Sequence, residues 1–116
     1  ETIKMVNWSL INCNGKEIVV PKLKSYRLID LVKAIAPKCK IINEGKKIGE
    51  KIHEKLISNQ ETENIFFNGK YYLIFNENKP SLKIKNFKKI DLNGYNSKEN
   101  TYLSINELRD KINSIK

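Results

Sequence analysis

The sequence has few of the residues that usually mark a catalytic or metal site. Its 116 residues include one histidine, two cysteines and three prolines. Cys13 and Cys39 stand neither in a Cys-x-x-Cys pair nor beside histidines at metal-ligand spacing. We therefore expect two free, buried thiols and no metal site. His53, between Glu50 and Glu54, is interpreted as a partly exposed helix residue.

Nucleotide-binding glycine loops are also missing. The chain has only five glycines, and neither Gly-x-Gly-x-x-Gly nor Gly-x-x-x-x-Gly-Lys-Ser/Thr occurs. No tyrosine is followed four positions later by a lysine. The sequence therefore shows no cofactor site and no active-site base, and we expect no catalytic residue and no bound cofactor in this chain.

Long hydrophobic runs are absent as well. No apolar run approaches the roughly 20 residues that a membrane-spanning helix needs, and the first residues lack a signal-peptide pattern. Forty per cent of the residues are hydrophobic, and 116 residues suffice for one modest core. We expect a single domain over residues 1–116 that is soluble and cytoplasmic and has no membrane partner.

Basic residues outnumber acidic ones, but few of the basic residues are arginine. The net charge is +9, and of 22 basic residues only Arg27 and Arg109 are arginines. Clustered basic charge attracts phosphates, yet bidentate contacts to bases and phosphates favour arginine. Lysine, asparagine and isoleucine recur along the whole chain, which indicates a compositional bias. This argues against nucleic-acid binding; a small basic module that holds RNA or another polyanion remains the alternative.

The first half of the chain alternates helix and strand. The opening residues predict a helix face (Ile3, Val6, Leu10, Ile11), and "KEIVV" predicts a strand closed by Pro21. Ser25 is a candidate cap for a helix that ends before Pro37, with the apolar stripe Leu28, Leu31, Val32 and Ile35. "CKII" at residues 39–42 predicts a second strand. Such alternation is typical of α/β proteins.

The second half predicts one hairpin and a terminal helix. A helix face runs through Ile48, Ile52 and Leu56. Asn68-Gly69 separates two aromatic runs and accepts positive φ at both turn positions, which predicts a β-hairpin. Residues 76–96 are interpreted as extended surface chain, with a basic nucleic-acid stripe as the alternative. A capping box then starts the last helix, since Ser104 precedes Glu107 by three residues.

The stretch "EGKKIGEKIHE", residues 44–54, concentrates charge around a predicted helix start. Gly45 and Gly49 allow turn geometry and close approach of a ligand, while the lysines and exposed amides favour phosphate. Glu50 offers acceptors for vicinal hydroxyls such as those of a ribose. The combination suits a nucleotide diphosphate. Charged residues also occur at helix ends because they stabilise the helix. Without the resemblance, the residues favour a solvated helix start over a ligand site.

The same stretch resembles the "G-I-R-P-G-E-K-L-H-E" signature of nucleotide-sugar 4,6-dehydratases in the extended short-chain dehydrogenase/reductase superfamily. The resemblance is strongest to inverting UDP-N-acetylglucosamine 4,6-dehydratases and CapD-like polysaccharide biosynthesis proteins. Three further blocks are similar in the same order: "GKEIVVPKLKSYRLIDLVKAIAP" (15–37), "EKLISNQET" (54–62) and "YNSKENTYLSINELR" (95–109). Four blocks in the right order cover most of the chain.

The resemblance implies an α/β fold, namely the C-terminal substrate-binding lobe of such an enzyme, with short strands, helices and one β-hairpin. In the family, a Rossmann domain carries the NADP site and the Tyr-x-x-x-Lys pair, and this sequence has neither. The chain is therefore similar to a fragment of a longer enzyme and is not catalytic alone. Implied partners are a UDP-sugar substrate, the missing Rossmann domain or an upstream polypeptide, and further copies in a homo-oligomer.

The resemblance also implies which residues bind the substrate. Lys47 stands where the family has an arginine for the diphosphate, Gly49 matches the glycine of the signature, and Glu50 matches the glutamate near the ribose. Pro21 and Lys22 match the "P-K" after the strand, close to the substrate cleft.

Three departures from the family pattern weaken the expected grip. Lys47 lacks the planar fork of arginine, Ile48 replaces a proline that would stiffen the loop, and Tyr102 replaces a tryptophan. The main hypothesis is a UDP-N-acetylglucosamine-binding lobe of a 4,6-dehydratase in surface-polysaccharide or flagellin-glycan biosynthesis. The alternatives are the polyanion-binding module and a non-functional remnant.

Overall fold

Helices and short antiparallel strands alternate in the computed structural model, which describes residues 2–61, 63–76 and 86–115. The elements are α1 (Thr2–Asn12), β1 (Glu17–Pro21), α2 (Leu28–Ile35), β2 (Lys55–Ile57), β3 (Ile65–Phe67), β4 (Tyr71–Phe75), β5 (Lys88–Ile90), β6 (Tyr95–Asn96) and α3 (Ile105–Asn113). The predicted α/β class is confirmed. The chain divides into a first unit (Glu1–Leu23, Lys55–Asn96) and a second unit (Lys24–Glu54, Ser97–Lys116).

The first unit is built around strand β4. Its sheet has the order β1-β4-β3-β5 with antiparallel pairing, and β2 pairs with β6 in a separate two-stranded sheet. All five residues of β4 are buried. Because side chains alternate between the two faces of a strand, a continuously buried strand needs cover on both faces.

Two apolar clusters provide that cover. Tyr72 and Ile74 share one cluster with residues of β1, β2, β3 and β6, whereas Tyr71, Leu73 and Phe75 share the other with Phe87. Helix α1 packs on the second cluster, where the indole ring of Trp8 lies 4.7 Å from the ring of Tyr71, centroid to centroid.

Helix α1 is confirmed, but its predicted buried face is wrong. Met5 and Trp8 pack on the core, while the predicted stripe is exposed, as its members show: Ile3, Val6, Leu10 and Ile11. The helix carries apolar residues on more than one side, so periodicity did not decide which side packs against the sheet. The aromatic side chain of Trp8 finds aromatic partners in Tyr71 and Phe87.

The hairpin predicted at Asn68-Gly69 is confirmed as β3–β4. The Asn68 N–H donates to the Tyr71 C=O at 3.3 Å, and Gly69 has φ +92°. Gly69 is thus the first central residue of the turn and Lys70 the second, as in a type II′ turn. The prediction that Asn68 and Gly69 both take positive φ is wrong, because only Gly69 does. The Asn68 side chain accepts hydrogen bonds from the Lys70 and Tyr71 amides, which fixes the turn.

In the second unit, α2 packs against α3. The predicted capping box of α3 is confirmed: Ser104 Oγ accepts from the Glu107 N–H, and the Glu107 carboxylate accepts from the Ser104 N–H. Lys24 Nζ donates to Glu107 at 2.6 Å. The hydrogen bond from Lys24, followed by those from Ser104, lowers the pKa of Glu107 to about 2.

Two predicted elements between α2 and β2 are wrong. Residues 39–42 form no strand, and the helix predicted through Ile48 and Leu56 is replaced by turns followed by β2. Gly45 and Gly49 adopt φ +81° and +84°, which lie outside the right-handed helical region. The apolar spacing resembled a helix face, but no surface of the second unit buries it.

Three smaller predictions are corrected. The N-cap of α2 is Arg27 rather than Ser25. Ser25 instead forms an isolated parallel β-bridge with Tyr102. Both cysteines are free, as predicted, but Cys13 is half-buried and Cys39 exposed. The predicted extended segment 76–96 contains β5 and β6, and residues 77–85 lie outside the described residues.

Candidate functional site

The signature loop, residues 44–54, lies in the second unit. It contains a turn in which Lys47 and Glu50 form two hydrogen bonds with each other. The Glu50 N–H donates to the Lys47 C=O at 3.2 Å, and the Lys47 N–H donates to Glu50 Oε2 at 3.0 Å. These two bonds hold Lys47, Gly49 and Glu50 in one turn. The predicted helix start is wrong, so neither a helix dipole nor helical amides contribute to anion binding here.

Two glycines give the signature loop its shape. Gly45 and Gly49 have positive φ angles, which side chains other than glycine rarely adopt. The Gly45 N–H donates to Asn43 Oδ1 at 2.9 Å. A Cβ atom built on Gly49 would meet no atom within 4 Å, so backbone geometry rather than crowding explains the glycine. The open space lets a ligand approach the backbone of the turn.

Ser97 anchors the far end of the signature loop. The Glu54 N–H donates to Ser97 Oγ at 3.1 Å, and the Ser97 N–H donates to the Glu54 C=O at 2.9 Å. His53 Nδ1 lies 3.4 Å from the same hydroxyl, and its side chain is exposed on a bend rather than on the predicted helix. Sequence reasoning missed Ser97, although it belongs to the last of the four resembling blocks.

The signature loop belongs to a longer segment without a buried residue. Every residue from 35 to 54 is exposed. The exposed side chains include five isoleucines: Ile35, Ile41, Ile42, Ile48 and Ile52. In proteins generally, exposed apolar side chains mark an interaction surface where they form one contiguous patch.

Pro21 and Lys22 lie in the first unit, at the end of β1. Pro21 pairs with Tyr71 as the last residue of the strand, and the Lys22 N–H donates to the Lys70 C=O at 2.9 Å. The Lys22 ammonium lies 5.3 Å from the ring centroid of Phe67. The strand exit predicted from the sequence is therefore present and is fastened to the hairpin turn.

A pocket of about 360 Å³ opens beside Lys22. We call it the lysine pocket, and its lining includes Lys4, Met5, Lys22, Leu23, Lys70 and Tyr71. Sequence reasoning missed Lys4, Lys70 and Tyr71 as candidate site residues. The Asn-Gly turn was a usable signal, because it fixes Lys70 at the tip of the hairpin next to β1.

The described residues contain neither a metal-ligand cluster nor a membrane-spanning helix. In residues 2–61, 63–76 and 86–115, no group of three His, Cys, Asp or Glu side chains could hold a metal ion. The longest helix in these ranges, α1, has 11 residues, and none is long and apolar enough to span a bilayer. Both candidate regions present ammonium groups and backbone amides, which suit an anionic ligand.

The α/β fold matches that of a solved protein. The X-ray structure of Pen from Bacillus thuringiensis superimposes with a TM-score of 0.79, over 94% of this chain and 34% of that chain, at 24% sequence identity. The fold class predicted from the sequence is therefore confirmed as one that occurs in a longer solved chain.

The sequence places this fold in a family. The model for the family described as polysaccharide biosynthesis protein matches residues 1–76, and the chain belongs to that family. It is 31% identical over 114 residues to a UDP-N-acetylglucosamine 4,6-dehydratase (inverting) of Campylobacter jejuni subsp. jejuni serotype O:2. A protein of the same name from serotype O:23/36 is 32% identical over 82 residues. The resemblance stated from the motifs is thereby confirmed.

The chain is much shorter than these relatives. The first match covers 98% of this chain but 29% of the relative, and the second covers 71% of this chain and 23% of the relative. Most of each relative's length therefore has no counterpart in these 116 residues.

Proposed function

We propose that this chain is the nucleotide-sugar-binding lobe of an inverting UDP-N-acetylglucosamine 4,6-dehydratase. The observation that carries the proposal is the signature loop, whose Lys47–Glu50 turn presents an ammonium, open backbone and a carboxylate to solvent. The names of the two relatives supply the substrate class. In this role the chain binds substrate and does not carry out the reaction alone.

Lys47 is proposed to contact the diphosphate. Its side chain is exposed, and its own N–H is already used by Glu50, so the ammonium is the group that is offered to a ligand. An ammonium attracts phosphate as a point charge, without the two parallel hydrogen bonds that arginine forms. We therefore expect measurable but modest affinity for the nucleotide.

Glu50 is proposed to bind the ribose. Its Oε2 accepts from the Lys47 N–H at 3.0 Å, which orients the carboxylate within the turn. Ribose hydroxyls donate hydrogen bonds, and a carboxylate has capacity for several. Gly49, between the two side chains, keeps the approach to the turn open. Pro21 and Lys22, at the exit of β1 in the first unit, are proposed separately as substrate-binding residues.

The lobe is proposed to work with a separate dinucleotide-binding domain, from an upstream segment or another polypeptide. The described residues do not fit NADP: β1 leads into α2 through residues 22–27, which contain no glycine to admit a pyrophosphate. The exposed isoleucines of residues 35–54 supply an apolar surface on which such a domain can dock. A cytoplasmic location and homo-oligomerisation remain parts of this proposal.

The test is an amide NMR titration of the 116-residue chain with UDP-N-acetylglucosamine at moderate salt. We expect shifts at the amides of the signature loop, and weaker binding for Lys47→Ala and Glu50→Ala. Lys46→Ala is the matched control, because it removes the same charge one residue away. Its affinity should change least of the three.

Three results would contradict the proposal. In the first, Lys46→Ala weakens binding as much as Lys47→Ala, which would indicate non-specific attraction. In the second, the folded chain ignores the nucleotide sugar but binds a short single-stranded nucleic acid with steep salt dependence, as a polyanion-binding module would. A folded chain that binds neither ligand would identify a non-functional remnant.

A further inference from the structure

The three lysines that line the lysine pocket lie far apart in the sequence. Lys4 comes from α1, Lys22 follows β1, and Lys70 is the second central residue of the hairpin turn. The hydrogen bond between the Lys22 N–H and the Lys70 C=O, 2.9 Å long, fixes the backbones that carry two of these side chains. The three lysine residues therefore line one pocket because the fold places them there.

The charge of the pocket is not balanced by its described neighbours. Among residues 2–61, 63–76 and 86–115, no carboxylate lines it and the three lysines form no ion pair. Lys24, in contrast, pairs with Glu107 at 2.6 Å. Like charges that share a site repel one another unless an anion is bound between them. The electrostatics of the pocket thus favour an anionic ligand.

One of the ammonium groups lies over an aromatic ring of the pocket lining, whereas another lies over a ring on the opposite face of the sheet. Lys70 Nζ lies 5.1 Å from the ring centroid of Tyr71, and Lys22 Nζ lies 5.3 Å from that of Phe67. Cations over aromatic faces at this range are attracted by the ring quadrupole. Tyr71 is 4% exposed, so its ring forms a rigid wall rather than a mobile surface group.

The volume limits the size of the ligand. Ligand pockets commonly range from about 300 to 1,000 Å³, and about 360 Å³ is near the lower end. A whole nucleotide sugar is too large, whereas one phosphorylated sugar ring is of suitable size. Met5 and Leu23 provide apolar surface for the face of such a ring.

We propose that the lysine pocket binds a phosphate ester of monosaccharide size. Lys4 and Lys70 would contact the phosphate, and the sugar would lie against Met5 and Leu23. The site goes beyond the proposed function, because it requires neither Lys47 nor uridine. The same sugar phosphate can arrive free or as one end of a nucleotide sugar, and the experiment separates these sources.

The probes are N-acetylglucosamine 1-phosphate, UDP-N-acetylglucosamine and neutral N-acetylglucosamine, each titrated into the whole chain by amide NMR. We expect the sugar phosphate to shift the amides of Lys22, Lys70 and Tyr71, and the neutral sugar to shift none of them. Pocket shifts with the nucleotide sugar alone would overturn the proposal of a free sugar-phosphate site.

Variants identify the side chains. Lys4→Gln and Lys70→Gln should each raise the Kd for the sugar phosphate by about tenfold, as expected for the loss of one charge-assisted hydrogen bond. Lys70→Arg should retain binding. Lys88→Gln, an exposed strand residue of the same unit outside the pocket, is the charge-matched control and should leave the Kd unchanged.

The outcomes also separate this proposal from the preceding one. If Lys47→Ala weakens UDP-N-acetylglucosamine binding while no probe shifts the pocket, the pocket proposal fails and the signature loop stands. If the sugar phosphate binds more weakly to Lys70→Gln, but the uridine part of the nucleotide sugar adds nothing to binding, the pocket proposal stands and the signature-loop proposal fails. An equal loss in Lys88→Gln and Lys70→Gln would reduce the pocket to general attraction by a basic surface and overturn it.

Discussion

Strand β4 and the segment of residues 35–54 show how differently apolar residues are used in the two units. All five residues of Tyr71–Phe75 are buried, whereas every residue from 35 to 54 is exposed, including five isoleucines. Hydrophobicity does not distinguish them, because both segments carry large apolar side chains. What distinguishes them is the presence of covering elements, which β4 has on both faces.

The comparison separates two sources of order. Burial of β4 removes apolar surface from water and stabilises the first unit through the hydrophobic effect. The signature loop is held by local hydrogen bonds such as the Lys47–Glu50 turn and the contacts of Ser97. Its isoleucines add no such stability within the second unit. A segment with this character suits ligand binding and docking better than it suits support of a fold.

The largest expected effect is on the first unit. Leu73 is fully buried, so Leu73→Ala should lower the free energy of unfolding by about 2–5 kcal/mol, through lost burial and a residual cavity. Ile48 is fully exposed, and Ile48→Ala should change the free energy of unfolding by less than about 0.5 kcal/mol. Urea denaturation of both variants measures the difference. Similar losses would show that the segment of residues 35–54 is buried in solution.

A smaller effect is expected in the second unit on acidification. The pKa of Glu107 is lowered to about 2 from an ordinary value of 4.5, chiefly by the hydrogen bond from Lys24. Because the folded-state pKa is depressed, the stabilisation of α3 is present above pH 4.5 and is lost as the pH falls towards 2. Amide shifts of Leu108, followed from pH 6 to pH 2, report the loss.

Two variants test the origin of that pH dependence. Glu107→Gln should remove it, whereas Asp110→Asn, which neutralises an exposed carboxylate of the same helix, should preserve it. An unchanged profile in Glu107→Gln would contradict the assignment to the capping box and Lys24.

The smallest effect concerns the two thiols and leaves stability unchanged. Burial, followed by the charge of Glu17, raises the pKa of Cys13, whereas Cys39 is exposed in the segment of residues 35–54. Since the thiolate is the reactive form, Cys39 should be alkylated by iodoacetamide before Cys13. Mass spectrometry of partly modified chain measures the order. Faster modification of Cys13 would mean that α1 does not pack as described.

Local chemistry made some elements predictable from the sequence. The Asn68-Gly69 turn and the Ser104–Glu107 capping box each depend on residues within three positions of one another, and both are present. The prediction of a helix through Ile48 and Leu56 was wrong because that helix depended on distant rather than local contacts. Its apolar spacing needed a covering surface, and two glycines at positive φ already favoured turns.

The candidate site shows the same limit. Lys47 and Glu50 are three residues apart, so the turn that unites them follows from a short motif. The lysine pocket joins residues of α1, β1 and the hairpin turn, and only the pairing of β1 with β4 brings Lys22 beside Lys70. A single sequence carries no direct record of that long-range pairing.

The two edges of the four-stranded sheet have a consequence for aggregation. Edge strand β1 ends in Pro21, and since the neighbouring Lys22 N–H points to Lys70, the missing N–H of Pro21 falls on the open side. The other edge, β5, is three residues long and contains Lys88 and Lys89. A proline, a short strand and two ammonium groups discourage the addition of a strand from another molecule. Self-association of this chain should therefore proceed through side-chain surfaces and give discrete oligomers rather than cross-β fibrils.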